Sequence, residues 1–202
     1  MCQLAAYTGH RPKAQLLLKA IELQEAYLGG HASGLGVISE GEFKIEKDIG
    51  PVDRVRQTTT IEKLDGPVGI AHSRWGHGHF DARYNTKKMA HPFTDCNDAI
   101  CLMHNGTITN FKQHWDHLKE RHPFRSYEPG IDAITDSEIA VHMLEEQMDR
   151  GLDIGQALRK IAPKLTGAFL LACIGIEEPE TIWIANWHQP CVVGIGNDET
   201  MF

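Results

Sequence analysis

Residues 168–195, AFLLACIGIEEPETIWIANWHQPCVVGI, decide the architecture of this chain. Apolar, β-branched and aromatic residues gather at 168–174, 181–185 and 192–195, with Glu-, Pro- and Gly-bearing breaks between them, so the stretch predicts three consecutive strands and no intervening helix. Two helices in succession precede them. Thr135-Asp136-Ser137-Glu138 has the spacing of a capping box and opens a helix reaching about residue 148, and a second helix is predicted over 155–165. Elements arriving in blocks, not in strict alternation, favour an α+β fold with largely antiparallel sheets over a doubly wound parallel sheet.

The same reading extends toward the N-terminus. Residues 3–8 form a short apolar strand, followed by a helix from about Pro12 whose Leu16, Ala20, Leu23 and Tyr27 keep helical spacing, widened by Leu17 and Ile21, up to Gly29-Gly30. Segments 34–39 and 43–47 read as a hairpin turned at Glu40-Gly41, 68–73 and 99–104 as strands, and 111–121 as a helix. Residues 75–96 are polar, rich in Gly, His and Asn, and without periodicity; a loop that long inside a domain is usually functional. With no repeat or linker, residues 1–202 are one domain, the size of a single well-formed core.

Composition narrows the function. A net charge of -7 without a basic stripe excludes general nucleic-acid binding. No apolar run of spanning length occurs and the start lacks a signal peptide, so no membrane partner and a cytoplasmic location are expected. Five cysteines without a CxxC pair suit a reducing compartment. No Walker or GxGxxG pattern is present.

Cys2 carries the most chemical information. Once Met1 is removed, its thiol and a free α-amine share one residue, and an amine of pKa about 8 serves as a built-in base for a thiol of about 8.5. Four further groups follow in order: Ala71-His72-Ser73-Arg74-Trp75, Ala90-His91-Pro92, His104-Asn105-Gly106 and Thr135-Asp136-Ser137-Glu138. Asn-Gly is by itself a common hairpin turn, but here it follows the strand at 99–104 and leads toward a helix.

Together these motifs resemble the class II glutamine amidotransferases, a branch of the N-terminal-nucleophile (Ntn) hydrolases, and are most similar to the glutaminase domains of the glucosamine-6-phosphate synthase family. The resemblance runs over essentially the whole chain. It implies a four-layer αββα sandwich and hydrolysis of L-glutamine to glutamate and ammonia through a Cys2 thioester. It further implies Asn105 and Gly106 as the oxyanion hole, Arg74 on the substrate carboxylate, Asp136 on its ammonium, Trp75 and His77 in a glutamine-covering loop, and His91 lining the site. No metal or organic cofactor is expected. Ammonia would pass to an acceptor, a sugar phosphate by resemblance, in another domain or subunit, so that 1–202 is expected to be either the N-terminal part of a longer protein or a subunit that needs a partner; homo-oligomerisation stays open.

The sequence departs from the family at Gln3, where Gly is usual, and at Leu28 and His31, where Arg and Asp are usual. Two rival readings follow: a degenerate domain used for assembly, or a metal hydrolase built from His72, His77, His79, His91 and Cys96.

Overall fold

In a computed structural model, residues 2–76 and 81–202 are described. Strand β1 (Gln3–Thr8) leads into helix α1 (Lys13–Glu25), the hairpin β2 (Ala32–Ser39) and β3 (Glu42–Ile49), the short helix α2 (Val52–Thr58) and strand β4 (Val68–Arg74). Then come β5 (Phe93–Thr94), β6 (Ile100–Ile108), α3 (Phe111–Leu118), α4 (Asp136–Met148), α5 (Ile154–Ile161), β7 (Gly167–Gly175), β8 (Glu178–Trp187), β9 (Gly194–Gly196) and β10 (Glu199–Met201). They form two antiparallel sheets, ordered β3-β2-β4-β1-β10-β9 and β5-β6-β7-β8.

Strand alternation sorts side chains into three apolar layers. On β1, Ala5 and Tyr7 face Leu17, Leu18 and Ile21 of α1, while Ala6 faces the other sheet. On β7, Phe169, Leu171 and Cys173 meet α4 and α5, whereas Leu170, Ala172 and Ile174 turn inward with Met103, Ile70 and Val68. Helices therefore cover both outer faces and the sheets share an inner core. This is the αββα sandwich expected.

Most elements lie where the sequence places them, and the hairpin turns at Glu40-Gly41 with φ of 54° and 78°. Boundaries differ where side chains, not periodicity, decide them. Helix α1 stops at Glu25, whose carboxylate accepts from Val52 N and from Ser33 and Ser73 Oγ, and the chain turns away through Gly29 and Gly30 at φ of 145° and 77°. The capping box of α4 is half formed. Thr135 Oγ1 accepts from Glu138 N at 3.3 Å, but the Glu138 carboxylate accepts from Arg125 N and Ser126 N instead of reaching back. The complete box lies at Asp153 and Gln156, opening α5. None of the described helices is long and apolar enough to cross a membrane.

Candidate active site

Cys2 precedes β1 and is half-buried. Its Sγ accepts from Trp75 N at 3.3 Å, and its backbone N donates to Asn105 Oδ1 at 3.2 Å. Strand β1 lies beside β4 with Gln3 opposite Ser73, which puts the end of β4 next to the thiol. Asn105 comes from the second sheet, so the site bridges the two. Burial pushes the Cys2 thiol up, opposed by the Trp75 amide and the Arg74 charge.

The expected position of Asn105-Gly106 needs correction. Strand β6 does not end at residue 104 but runs to Ile108, so both residues sit inside a strand, opposite Leu170 and Phe169. Gly106 has φ of 124°, and a Cβ there would collide with the Ala168 carbonyl, so the position admits no side chain. With Oδ1 of Asn105 engaged by Cys2, its amide Nδ2 is the group left to donate to a ligand.

Arg74 is the last residue of β4 and is 8% exposed. One guanidinium nitrogen donates to the Tyr84 carbonyl at 3.0 Å, and Gly76 packs so closely over the guanidinium that a Cβ would lie 2.7 Å from its Cζ. Burial draws its pKa down while Cys2 and Asp136 hold it up. Among the described residues no carboxylate lies within ion-pair distance of Arg74, unlike Arg56 or Arg121.

Asp136 is the first residue of α4. Its Oδ2 accepts from Ile108 N at 2.8 Å, and its other oxygen is 3.8 Å from His104 Nδ1. The helix start and the far end of β6 are thereby tied together, with the carboxylate close enough to Cys2 and Arg74 to shift both electrostatically.

Behind this group is a buried layer that spacing alone does not reveal. His91 Nε2 and His104 Nδ1 both meet Ser137 Oγ, at 2.8 and 2.9 Å, and His72 Nε2 donates to the His104 carbonyl at 3.1 Å. The His72 and His91 rings lie 3.9 Å apart. Burial lowers all three histidines, His72 to about 3, so the layer is neutral near pH 7. Of the rival metal set, His72 and His91 come together, but Cys96 meets His122 and His142 instead. His77 and His79 lie outside the described residues.

The three residues at which the sequence departs from the motifs it resembles meet local partners. Gln3 Nε2 donates to the Leu28 carbonyl at 2.7 Å. His31 stacks on Trp75 with centroids 4.3 Å apart, and its Nδ1 accepts from Gly76 N at 3.3 Å. Leu28 and His31 thus support the residues flanking the thiol by backbone and ring contacts.

The chain is similar to known proteins in sequence and in fold. Residues 81–188 match a family described as a glutamine amidotransferase domain. Glutamine--fructose-6-phosphate aminotransferase [isomerizing] of Pyrobaculum aerophilum is 35% identical over 188 residues, 92% of this chain and 29% of that protein. Its counterpart in Methanothermobacter thermautotrophicus is 36% identical over 188 residues, again 92% of this chain and 30% of the relative. The chain therefore spans under a third of the length of these relatives. In fold, glutamine phosphoribosylpyrophosphate amidotransferase from B. subtilis superposes with a TM-score of 0.76 at 18% identity, covering 100% of this chain and 41% of that one.

Proposed function

Because the chain belongs to the glutamine amidotransferase domain family, in its class II branch, we propose that it performs the glutaminase half-reaction with Cys2 as nucleophile. The observation that carries the reading is the placement of Cys2 N, 3.2 Å from Asn105 Oδ1, with Sγ at the Trp75 amide. Removal of Met1 turns that nitrogen into an α-amine already oriented by Asn105. The amine takes the thiol proton, Sγ attacks the side-chain amide carbon of glutamine, and the oxygen becomes an oxyanion. Asn105 Nδ2 and Gly106 N–H hold it. Collapse breaks the C–N bond, the α-ammonium protonates the departing nitrogen, and ammonia leaves a glutamyl thioester. Water, deprotonated by the same amine, then releases glutamate and regenerates the thiol.

Arg74 takes the substrate α-carboxylate and Asp136 its α-ammonium, opposite charges at opposite ends of a free amino acid. Trp75, braced by His31, is the residue we propose to cover the bound glutamine. A cavity of about 510 Å³ reaches Cys2 and Asn105 and is also lined by Val192 and Phe202. Val192 on its rim is exposed, which suits an adjoining acceptor domain or subunit. The relatives are named for fructose 6-phosphate, and a sugar phosphate is the acceptor we propose.

Glutamate release from L-glutamine, measured beside Cys2→Ala on protein whose intact mass confirms loss of Met1, tests the mechanism. Turnover is expected from the processed wild type alone. Equal release from both proteins would overturn the assignment, and no release from the processed protein with its acceptor domain would favour an assembly role.

A further inference from the structure

A second group of reactive side chains, sharing no residue with the thiol site, converges on one point. Cys96 lies in the loop before β6, His122 follows α3, and His142 and Glu145 are three residues apart on α4. Glu145 Oε2 is 3.0 Å from His122 Nδ1 and 2.9 Å from His142 Nδ1. Cys96 Sγ is 3.4 Å from the first of these nitrogens and 4.0 Å from the second. All four atoms lie within 4.8 Å of one another. A tetrahedron with zinc–sulfur bonds of about 2.3 Å and zinc–nitrogen or zinc–oxygen bonds of about 2.0–2.1 Å has edges of about 3.3–3.6 Å. The four contacts bracket that range.

The surroundings are those of metal ligands. Each imidazole turns Nδ1 to the centre and its far nitrogen to a carboxylate: His142 Nε2 faces Glu138 at 3.8 Å and His122 Nε2 faces Glu146 at 3.6 Å. Glu145 gives Oε2 to the centre and uses Oε1 to accept from Cys96 N at 3.2 Å. His142 Nε2 is buried without a hydrogen-bond partner, with the Glu138 carboxylate facing it. His122, His142 and Glu145 are buried while Cys96 is half-exposed, leaving a way in for an ion.

We propose that Cys96, His122, His142 and Glu145 bind a divalent transition metal, zinc by the softness and geometry of the donor set. Binding displaces the Cys96 thiol proton and leaves both imidazoles neutral with hydrogen on Nε2. Thiolate and carboxylate then cancel the 2+ charge, which lowers the cost of burying it. All four coordination positions are filled by protein, so the ion is structural. It pins the loop before β6 and the turn after α3 to the helix that begins with Asp136. The site does not depend on the glutaminase reading.

Protein prepared without a polyhistidine tag is assayed for metal by mass spectrometry, then stripped with a chelator and titrated with Zn²⁺ or Co²⁺. One zinc per chain is expected, with a lower melting temperature after stripping. Co²⁺ should give a thiolate-to-cobalt charge-transfer band together with the intense visible bands of a four-coordinate site. Cys96→Ser should abolish that band, and His142→Gln should weaken zinc affinity at least tenfold. Should buried His142→Gln misfold, the half-exposed Cys96→Ser still decides the outcome. Wild type that neither retains zinc nor shows the charge-transfer band overturns the proposal, as does an unchanged band in Cys96→Ser. Glutamate release, present or absent, does not enter either readout.

Discussion

Asn105 accepts from Cys2 N through its amide oxygen, which leaves its amide nitrogen for the oxyanion role proposed above. Asn105→Ala should therefore lower kcat for glutamine hydrolysis by about 10²–10³ with little change in KM, since the lost bond forms fully only in the transition state. Steady-state kinetics on processed protein checks this; a change confined to KM would place Asn105 in ground-state binding. Arg74 predicts the reverse pattern. Arg74→Lys keeps the charge but loses the planar fork, so KM should rise at least about tenfold with a smaller effect on kcat. Gamma-glutamyl substrates lacking the α-carboxylate should be insensitive to the change, and an equal loss on them would count against the clamp.

At the scale of elements, α4 and the strands β4 and β6 carry a packed layer whose charge state sets acid stability. His72, His91 and His104 are held below their ordinary pKa by burial, His72 at about 3. Their unfolded values lie near 6.5, so below that pH the unfolded chain binds protons that the native state refuses. The stabilisation is complete above about pH 6.5 and is lost progressively as pH falls toward the folded values. The limiting slope is about 1.4 kcal/mol per pH unit for each histidine. Urea midpoints between pH 7 and 5, where most carboxylates remain charged, should fall steeply, and His72→Gln should flatten the profile if it folds; a flat wild-type profile would contradict the neutral layer. The sequence revealed these elements unevenly for physical reasons. Strands β1, β4, β7 and β8 announce themselves by apolar runs. Helix α2 does not, because it offers only Val52 and Val55 to the core and depends on Glu25 accepting from Val52 N. Strand β10 is three residues long and is recognisable only by its pairing with β1, tied by Tyr7 donating to Glu199 at 2.6 Å. Cys2, Arg74, Asn105 and Asp136 were singled out because their motifs, in order along the chain, resemble those of a family, and the fold brings the four near one another. The histidine–Ser137 layer and the Cys96 cluster were not, since their members are far apart in sequence and meet only through packing.

At the scale of the whole molecule, the site exists only where the two sheets meet. Cys2 immediately precedes β1 and Arg74 ends β4, both strands of one sheet, while Asn105 lies in the other, and the Cys2–Asn105 bond crosses between them. What holds that distance is the inner layer: Ile70 and Val68 of β4 against Met103 of β6 and Leu170, Ala172 and Ile174 of β7, all buried. Neither sheet can keep that face from water without the other, so the chain should unfold as one cooperative unit. Met103→Ala is the discriminating change, because it opens the inner layer without touching the outer helices. It should cost about 2–5 kcal/mol and lower the hydrogen-exchange protection of β1 and β4 as much as that of β6 and β7. Glutaminase activity should fall while the mutant is still mostly folded, since a misplacement of about 1 Å between Cys2 and Asn105 is enough to cost about 10²-fold in rate. Two separate unfolding transitions, or protection lost only in the sheet containing β6, would show that the sheets are independent and that some other contact fixes the thiol against Asn105.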